Sequence, residues 1–219
     1  MALGGAVFEA DGTTLITAGA LAAQTGAIAI GSGAVSLDEN TVAIGGDGGD
    51  ANLVGAQAIA ADTVAIGGDS LAGALGATAV GDVALAGGER STSLGRLSTA
   101  SGDFSLAVGS DSAATETGAT AVGFSAQASG PNSVAIGRGA DASGQFSFAL
   151  GFNTTVTDTG ATAIGTNANA SGNNSLAVGR NTVANGTSTT AVGFDSEASG
   201  AFSTAVSYTH LTLPTILLV

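Results

Sequence analysis

Asn132-Ser133-Val134-Ala135-Ile136-Gly137 is one copy of a signal that recurs along most of this 219-residue chain. The signal consists of a small residue, a variable residue, alanine, an aliphatic residue and glycine. It returns every fourteen residues, with one interval of twenty-two. Such a short, fixed period is typical of solenoids, in which each unit contacts only its neighbours along one axis. The glycines that end the copies are Gly31, Gly45, Gly67, Gly81, Gly95, Gly109, Gly123, Gly137, Gly151, Gly165, Gly179 and Gly193. We predict that they are structural turn residues.

Each fourteen-residue unit has room for two short strands. The first is the β-branched run that ends at the glycine, and the second is a triplet such as Ala140-Asp141-Ala142, followed by Ser143-Gly144. Short runs of this kind bounded by Gly, Asn, Asp and Ser predict β-strands. The sequence therefore predicts an all-β solenoid, a parallel β-roll in which one coil takes fourteen residues.

Alternation along a strand places Ser133 and Ala135 on one face and Val134 and Ile136 on the other. Turns this short hold the two sheets closer than the usual spacing of ~10 Å, so only small side chains fit between them. We therefore predict that alanine and serine lie inside and that the aliphatic residues point outward, where other chains of an obligate oligomer cover them. The outward aliphatic residues in the central coils are Val108, Val122, Ile136, Leu150, Ile164, Val178 and Val192. The opposite assignment, with Ile136 inside and Ala135 against a partner, stays open at this point.

The chain divides into three segments. Residues 1–25 show the period only weakly and are predicted to be an N-terminal fragment that leads into the array, which covers residues 26–206. The start lacks the charged region of a signal peptide, so an exported protein of this kind is expected to begin further upstream. Residues 207–219 contain the chain's only Tyr and His, break the pattern and read like translated adapter sequence, so we predict a non-native tail. The eight extra residues near Gly46–Asp50 predict a loop that bulges from one coil.

Composition excludes several classes of function. The net charge is −13 with only four basic residues, so neither a nucleic acid nor an anionic membrane surface is an expected partner. No cysteine is present, and no run of eighteen apolar residues predicts a membrane-spanning helix. The single His210 lies in the suspect tail, the chain has no Lys, and no Gly-x-Ser-x-Gly elbow occurs. We therefore expect no enzyme activity, no metal and no cofactor.

The repeats resemble a known family. Asn132-Ser133-Val134-Ala135-Ile136-Gly137, followed by Ala140-Asp141-Ala142-Ser143-Gly144, resembles the head repeats of trimeric autotransporter adhesins, the YadA-like family, and the resemblance covers about residues 26–206. It implies a left-handed parallel β-roll and a homotrimer in which the outward aliphatic residues face the threefold axis. It also implies display on a Gram-negative outer surface and a role in virulence through adhesion to host matrix, cells or abiotic surfaces. No neck, heptad stalk or membrane anchor accompanies the repeats.

Adhesion is expected to use the middle position of the second strand, which is small and polar and repeats along the roll. Many weak, repeated contacts raise avidity without high affinity at any one site. The residues of this possible adhesive face are Gln127, Asp141, Thr155, Asn169 and Glu197. Phe124, Phe152 and Phe194 each follow a coil glycine, where they form exposed contact points or, in the interpretation we favour, fill the turn corners.

Three other functions fit part of the pattern. Similar repeats occur in phage tail-fibre-like proteins, where the chain would act as a spacer or receptor-contact segment. Gly45–Asp50 partly matches the nonapeptide of calcium-binding rolls, but those sites form between consecutive nonapeptides and this match is isolated. Ice binding needs a regular rank of threonines. The variable position holds Thr78, Thr92, Thr120, Thr162, Thr190 and Thr204, interrupted by Val42, Leu106, Val134, Phe148 and Leu176.

Overall fold

The computed structural model describes residues 1–3, 7–8, 15–17, 19–47 and 54–207. Within these ranges all regular secondary structure is β-strand, and no helix occurs. The predicted non-native tail, apart from Ser207, lies outside the described residues, and so do residues 48–53 of the predicted loop. Among the described residues, no helix is long and apolar enough to cross a bilayer.

The strands are two or three residues long, because a turn follows each one almost at once. In chain order they are β1 (Ala2–Leu3), β2 (Val7–Phe8), β3 (Leu15–Thr17), β4 (Leu21–Ala22), β5 (Ile28–Ile30), β6 (Val35–Ser36), β7 (Val42–Ile44), β8 (Gln57–Ala58), β9 (Val64–Ile66), β10 (Leu71–Ala72), β11 (Thr78–Val80), β12 (Leu85–Ala86), β13 (Thr92–Leu94), β14 (Thr99–Ala100), β15 (Leu106–Val108), β16 (Ala113–Ala114), β17 (Thr120–Val122), β18 (Gln127–Ala128), β19 (Val134–Ile136), β20 (Asp141–Ala142), β21 (Phe148–Leu150), β22 (Thr155–Val156), β23 (Thr162–Ile164), β24 (Asn169–Ala170), β25 (Leu176–Val178), β26 (Val183–Ala184), β27 (Thr190–Val192), β28 (Glu197–Ala198) and β29 (Thr204–Val206).

These strands form two long parallel sheets. The first sheet has fourteen strands, β1 and the odd-numbered strands from β5 to β29, and the second has thirteen, the even-numbered strands from β4 to β28. Neighbours in a sheet are one coil apart in sequence, so Ala135 pairs with Ala121 on one side and Ala149 on the other. The predicted all-β parallel solenoid is therefore confirmed, and it has about thirteen turns.

The interior between the sheets holds only small side chains. Every buried hydrophobic residue in the described ranges is alanine except Val156, and the buried polar residues are serines and threonines apart from Asp47. Ala135 is 0 % exposed, whereas Val134 and Ile136, on the opposite face of the same strand, are half-buried. The prediction that alanine lies inside and aliphatic residues point outward is thus confirmed, and the opposite assignment is excluded.

Some of the buried hydroxyls inside the roll donate hydrogen bonds to its backbone. Ser98 Oγ donates to the carbonyl of Gly95 at 2.7 Å, and Ser112 Oγ donates to that of Gly109 at 2.8 Å. Such a bond lowers the cost of burying a hydroxyl. Other buried serine hydroxyls have no hydrogen-bond partner among the described residues; these are Ser91, Ser105, Ser133, Ser147, Ser175 and Ser203.

The array begins before the predicted boundary at residue 26. Strand β1 pairs in register with β5, with Ala2 opposite Ala29 and Leu3 opposite Ile30. A small antiparallel pair, β2 with β3, lies within the longer connection that follows β1. This connection lengthens the interval between equivalent residues of β1 and β5 to twenty-seven residues. A search for a period of fourteen therefore misses the first coil, although Ala2-Leu3-Gly4 repeats the end of the signal.

The eight-residue insertion leaves the stacking of the coils unchanged. Val42 pairs with Val64 in the first sheet, and Val35 pairs with Gln57 in the second, each across twenty-two residues. The described residues on both sides of the insertion therefore keep their places in the coil, up to Ile44 and again from Gln57. The partial calcium-type match lies in this insertion, and its last residues fall outside the described ranges.

Candidate functional site

The predicted turn glycines lie at the corner where the first sheet ends. From Gly109 to Gly193 the φ angles of these turn glycines lie between 112° and 140°, a region that residues with a Cβ atom rarely adopt. The neighbouring coil also approaches closely, because a Cβ built on Gly109 would lie 2.6 Å from the carbonyl oxygen of Gly123. Each of these glycines still takes part in the sheet; for example, Gly137 N donates to the carbonyl of Val122 at 2.8 Å.

The seven predicted trimer-facing residues form a straight row on the outer face of the first sheet, which we call the aliphatic ladder. Neighbours one coil away cover each side chain from above and below, so these residues are half-buried, or exposed by slightly more than a third. Leu150 and Val192 are 37 % exposed. The row continues beyond these seven in both directions along the sheet. A continuous apolar strip of this length is unusual on the surface of a single soluble chain.

The phenylalanines that follow the coil glycines are exposed, so the interpretation that they fill the turn corners is wrong. Phe124 and Phe194 are 51 % exposed and Phe152 is 42 % exposed. Their side chains point away from the roll, because the interior of the corner has space only for the small residue just before the second strand.

Arginine side chains stack on these rings. The guanidinium carbon of Arg138 lies 5.8 Å from the ring centroid of Phe124 and 5.5 Å from that of Phe152, and Arg180 lies 4.5 Å from that of Phe194. Arg138 and Arg180 therefore contact aromatic rings and are not merely solvated charges. We call this row of stacked side chains the arginine–phenylalanine ladder.

Replacing Arg138 with glutamine is expected to lower the free energy of unfolding by about 1–2 kcal/mol, because two exposed cation–π contacts are lost. Urea unfolding followed by circular dichroism measures the change. Arg96→Gln is the matched control. Arg96 occupies the same turn position in an earlier coil, where the equivalent residues of the two adjacent coils are Asp82 and Ser110 and not phenylalanines. Equal losses in the two variants would contradict the contribution of the rings.

The five residues of the predicted adhesive face lie on the outer face of the second sheet. We call this row of residues the polar ladder. Gln127 and Glu197 are exposed, whereas Asp141, Thr155 and Asn169 are half-buried. Gln127, Asp141, Thr155 and Asn169 stand opposite one another on consecutive strands. Glu197 is separated from this group by Val183, so the structure brings four of the five together.

Three of these residues line a shallow depression of about 480 Å³ on the second sheet and its adjoining turn. The depression was not predicted from the sequence, although all its residues fall in the repeat. Its lining consists of Ser125, Gln127, Gly139, Ala140, Asp141, Asn153, Thr155 and Asn167. The lining is polar, with one carboxyl group, three side-chain amides and two hydroxyls, and contains no basic residue.

Burial raises the pKa of the Asp141 carboxyl above its usual value, because its charged form loses contact with water. The carboxylate makes no hydrogen bond or ion pair with any other described residue. Nearby, Asn169 Oδ1 is buried and has no hydrogen-bond partner within the described structure. Of these two groups, only the Asp141 carboxylate lines the depression, where it is an acceptor without a hydrogen-bond partner.

Asp141→Asn is expected to stabilise the chain at pH 7. The pKa of Asp141 is higher in the folded chain than in the unfolded chain, so the protonated carboxyl group favours the folded state. This contribution to the free energy of unfolding is present at low pH, and it is lost as the pH rises from the unfolded-state pKa through the folded-state pKa. The variant's advantage should therefore shrink towards zero near pH 3. Thermal unfolding at both values tests this, with Asp158→Asn as the control for the altered net charge. A gain of the same size at both values would contradict the prediction.

Potential metal-ligating side chains are scattered in the described part of the chain. No group of three or more His, Cys, Asp or Glu residues stands close enough there to hold a metal ion. His210 lies outside the described ranges. Thr78, Thr92 and Thr120 do point outward on the first sheet, but Leu106 stands between the last two, so the threonines form no continuous rank.

Comparisons with known proteins place these features in context. The sequence matches the YadA head domain repeat over residues 22–47, 86–112, 114–140, 128–154, 142–168, 157–182 and 184–206. The fold is similar to the crystal structure of the collagen-binding domain of the Yersinia adhesin YadA. The two share 26 % sequence identity with a TM-score of 0.54, over 62 % of this chain and 75 % of that one. No curated protein sequence matches the chain.

Proposed function

The chain belongs to the YadA head domain family, and from this premise we propose that it is an adhesin head that assembles as a homotrimer and binds an extracellular matrix protein. The family and the β-roll support an adhesin role. The homotrimer, the left-handed winding and the class of partner belong to the proposal. Display on the outer surface of a cell follows from the same role, and the anchor would be supplied outside these repeats.

The aliphatic ladder is the observation that supports assembly. With one row per strand, the fourteen strands of the first sheet make a strip roughly 60 Å long at a spacing of ~4.8 Å. Fully burying an exposed aliphatic side chain contributes about 1.5–3 kcal/mol. These side chains are already half-buried, so covering the rest contributes roughly half of that per residue, and the whole strip still has a strong tendency to associate. Three copies arranged around one axis would cover all three strips at once and leave the second sheets facing outward.

The polar ladder supports adhesion by repetition. In a trimer the ladder would appear three times around the rod, with Gln127, Asp141, Thr155 and Asn169 in register on each copy. Weak contacts from many such positions raise the overall avidity for an extended, repetitive ligand. The similarity to a collagen-binding domain makes collagen the first matrix protein to test, and cells and abiotic surfaces follow from the same reasoning.

Solid-phase binding tests the proposal. Purified chain, checked for folding and mass, is applied to immobilised collagen, fibronectin, cell layers and plastic, with albumin-coated wells as the reference. We expect saturable binding to at least one matrix protein, which weakens when the trimer is dissociated. A well-folded trimer that binds none of these surfaces above the reference would contradict an adhesive role and favour a spacer.

A further inference from the structure

The depression exists because one side chain is missing from a regular row. At this corner each coil has a residue in the left-handed region, and in consecutive coils these residues are Ser125, Gly139, Asn153, Asn167, Asn181 and Asp195. Every member except Gly139 carries a side chain that projects from the corner. The gap at Gly139 therefore opens a hollow beside Asp141 on the adjacent strand.

The asparagines of this row, which we call the asparagine ladder, are oriented by the carboxylate at its far end. A carboxylate only accepts hydrogen bonds, so Asn181 Nδ2 donates to Asp195 Oδ1 at 2.8 Å. This leaves Asn181 Oδ1 to accept from Asn167 Nδ2 at 3.2 Å. The amide oxygens consequently point along the ladder towards the depression.

Asn153 has the same orientation at the edge of the gap. Its Oδ1 lies 2.7 Å from the place where a Cβ on Gly139 would stand, so the oxygen faces the hollow. The depression thus combines the Asp141 carboxylate, which has no partner among the described residues, with the amide oxygen of Asn153 at its edge. It presents an excess of acceptors in a chain of net charge −13.

We propose that this depression binds the guanidinium group of an arginine side chain on a basic segment of a partner protein. A guanidinium is planar and carries five N–H donors, which suits one carboxylate flanked by separated neutral acceptors. An ammonium is compact and strongly hydrated, and Ca²⁺ sites usually supply several carboxylates. The partner's identity as an adhesion ligand rests on the proposed function; the binding site itself does not.

A labelled, end-blocked triarginine peptide tests the site on the full chain by fluorescence anisotropy. At an ionic strength of about 0.15 M, where distant surface charges are screened, we expect saturable binding to the wild type. Tricitrulline has nearly the same shape without the charge and should not bind measurably. Trilysine should bind more weakly than triarginine, and equal binding of the two would overturn the assignment to arginine.

Two variants remove the site in different ways. Asp141→Asn should weaken triarginine binding by about tenfold, because it removes charge-assisted hydrogen bonds and keeps the shape. Gly139→Asn should abolish binding by filling the gap. At φ 64° asparagine is well tolerated, and only the Asn153 side chain has to move, so this variant should fold and extend the asparagine ladder.

Matched controls separate the site from general attraction to an acidic protein. Asp158→Asn makes the same charge change in a turn outside the depression, and Gly118→Asn makes the same substitution as Gly139→Asn, at φ 68° and also outside the depression. Both should keep wild-type affinity. Equal weakening by Asp141→Asn and Asp158→Asn, or full affinity in a folded Gly139→Asn variant, would overturn the proposal. Because no matrix protein enters this assay, its failure is distinct from a failure of matrix adhesion.

Discussion

Replacing Gly109 with alanine is expected to lower the free energy of unfolding by more than about 3 kcal/mol, since strained backbone and steric conflict add together. Gly109 has a φ of 126°, and its added Cβ would lie 2.6 Å from the carbonyl oxygen of Gly123. That oxygen belongs to the backbone of the next coil and cannot move without disturbing the sheet. Because coils contact only their neighbours, the damage should also divide the roll into two separately melting parts.

Urea unfolding followed by circular dichroism, together with hydrogen exchange along the chain, measures both effects. Gly118→Asn is the control, because Gly118 has a φ of 68° and asparagine occupies the same turn position in the next coil, at Asn132. That variant should stay close to wild-type stability. A Gly109→Ala variant as stable as Gly118→Asn would show that the coil glycines are not needed for the close stacking of the corners.

Replacing Ile136 with aspartate is expected to dissociate the proposed trimer while leaving the roll folded. Ile136 is half-buried in the isolated chain, so a single coil tolerates a polar side chain there. In a threefold assembly the change removes three apolar contacts, each worth about 1 kcal/mol because Ile136 is already half-buried in the single chain, and brings three carboxylates together at the axis. Light scattering coupled to size-exclusion chromatography measures the mass, and circular dichroism reports the fold.

Leu85→Asp is the matched control. Leu85 is also an outward, half-buried aliphatic residue, but it lies on the second sheet between Leu71 and Thr99. The same change of chemistry there should leave the oligomeric state unaltered. If Leu85→Asp dissociates the assembly and Ile136→Asp does not, the chains associate through the second sheet and the proposed adhesive face is the interface.

Much of the fold follows from side-chain volume and period alone. The column that contains Ala135 is uniformly small, and the next column, with Ile136, is uniformly aliphatic. Two sheets joined by connections of only four or five residues leave space only for the first column. The coil formed by β1 was not predicted, because a long connection separates Ala2-Leu3 from its partner in β5. A period search loses a unit whose spacing changes even when its residues match.

The depression was harder to predict, because it depends on what one residue lacks. In the sequence Gly139 is one glycine among thirty-six, and its effect appears only when the turn positions of neighbouring coils are compared. The column Asn153, Asn167, Asn181 and Asp195 was visible in the sequence at a spacing of fourteen. Its consequence, a common orientation of the amides, required the stacking geometry and the carboxylate of Asp195.

Sedimentation equilibrium on the purified chain tests most directly the claim that the aliphatic ladder is a surface between subunits. We predict a single species of three times the 20.5 kDa chain mass that persists on dilution to nanomolar concentration. A well-folded species of 20.5 kDa at micromolar concentration would show that the ladder needs no cover, and it would contradict the account.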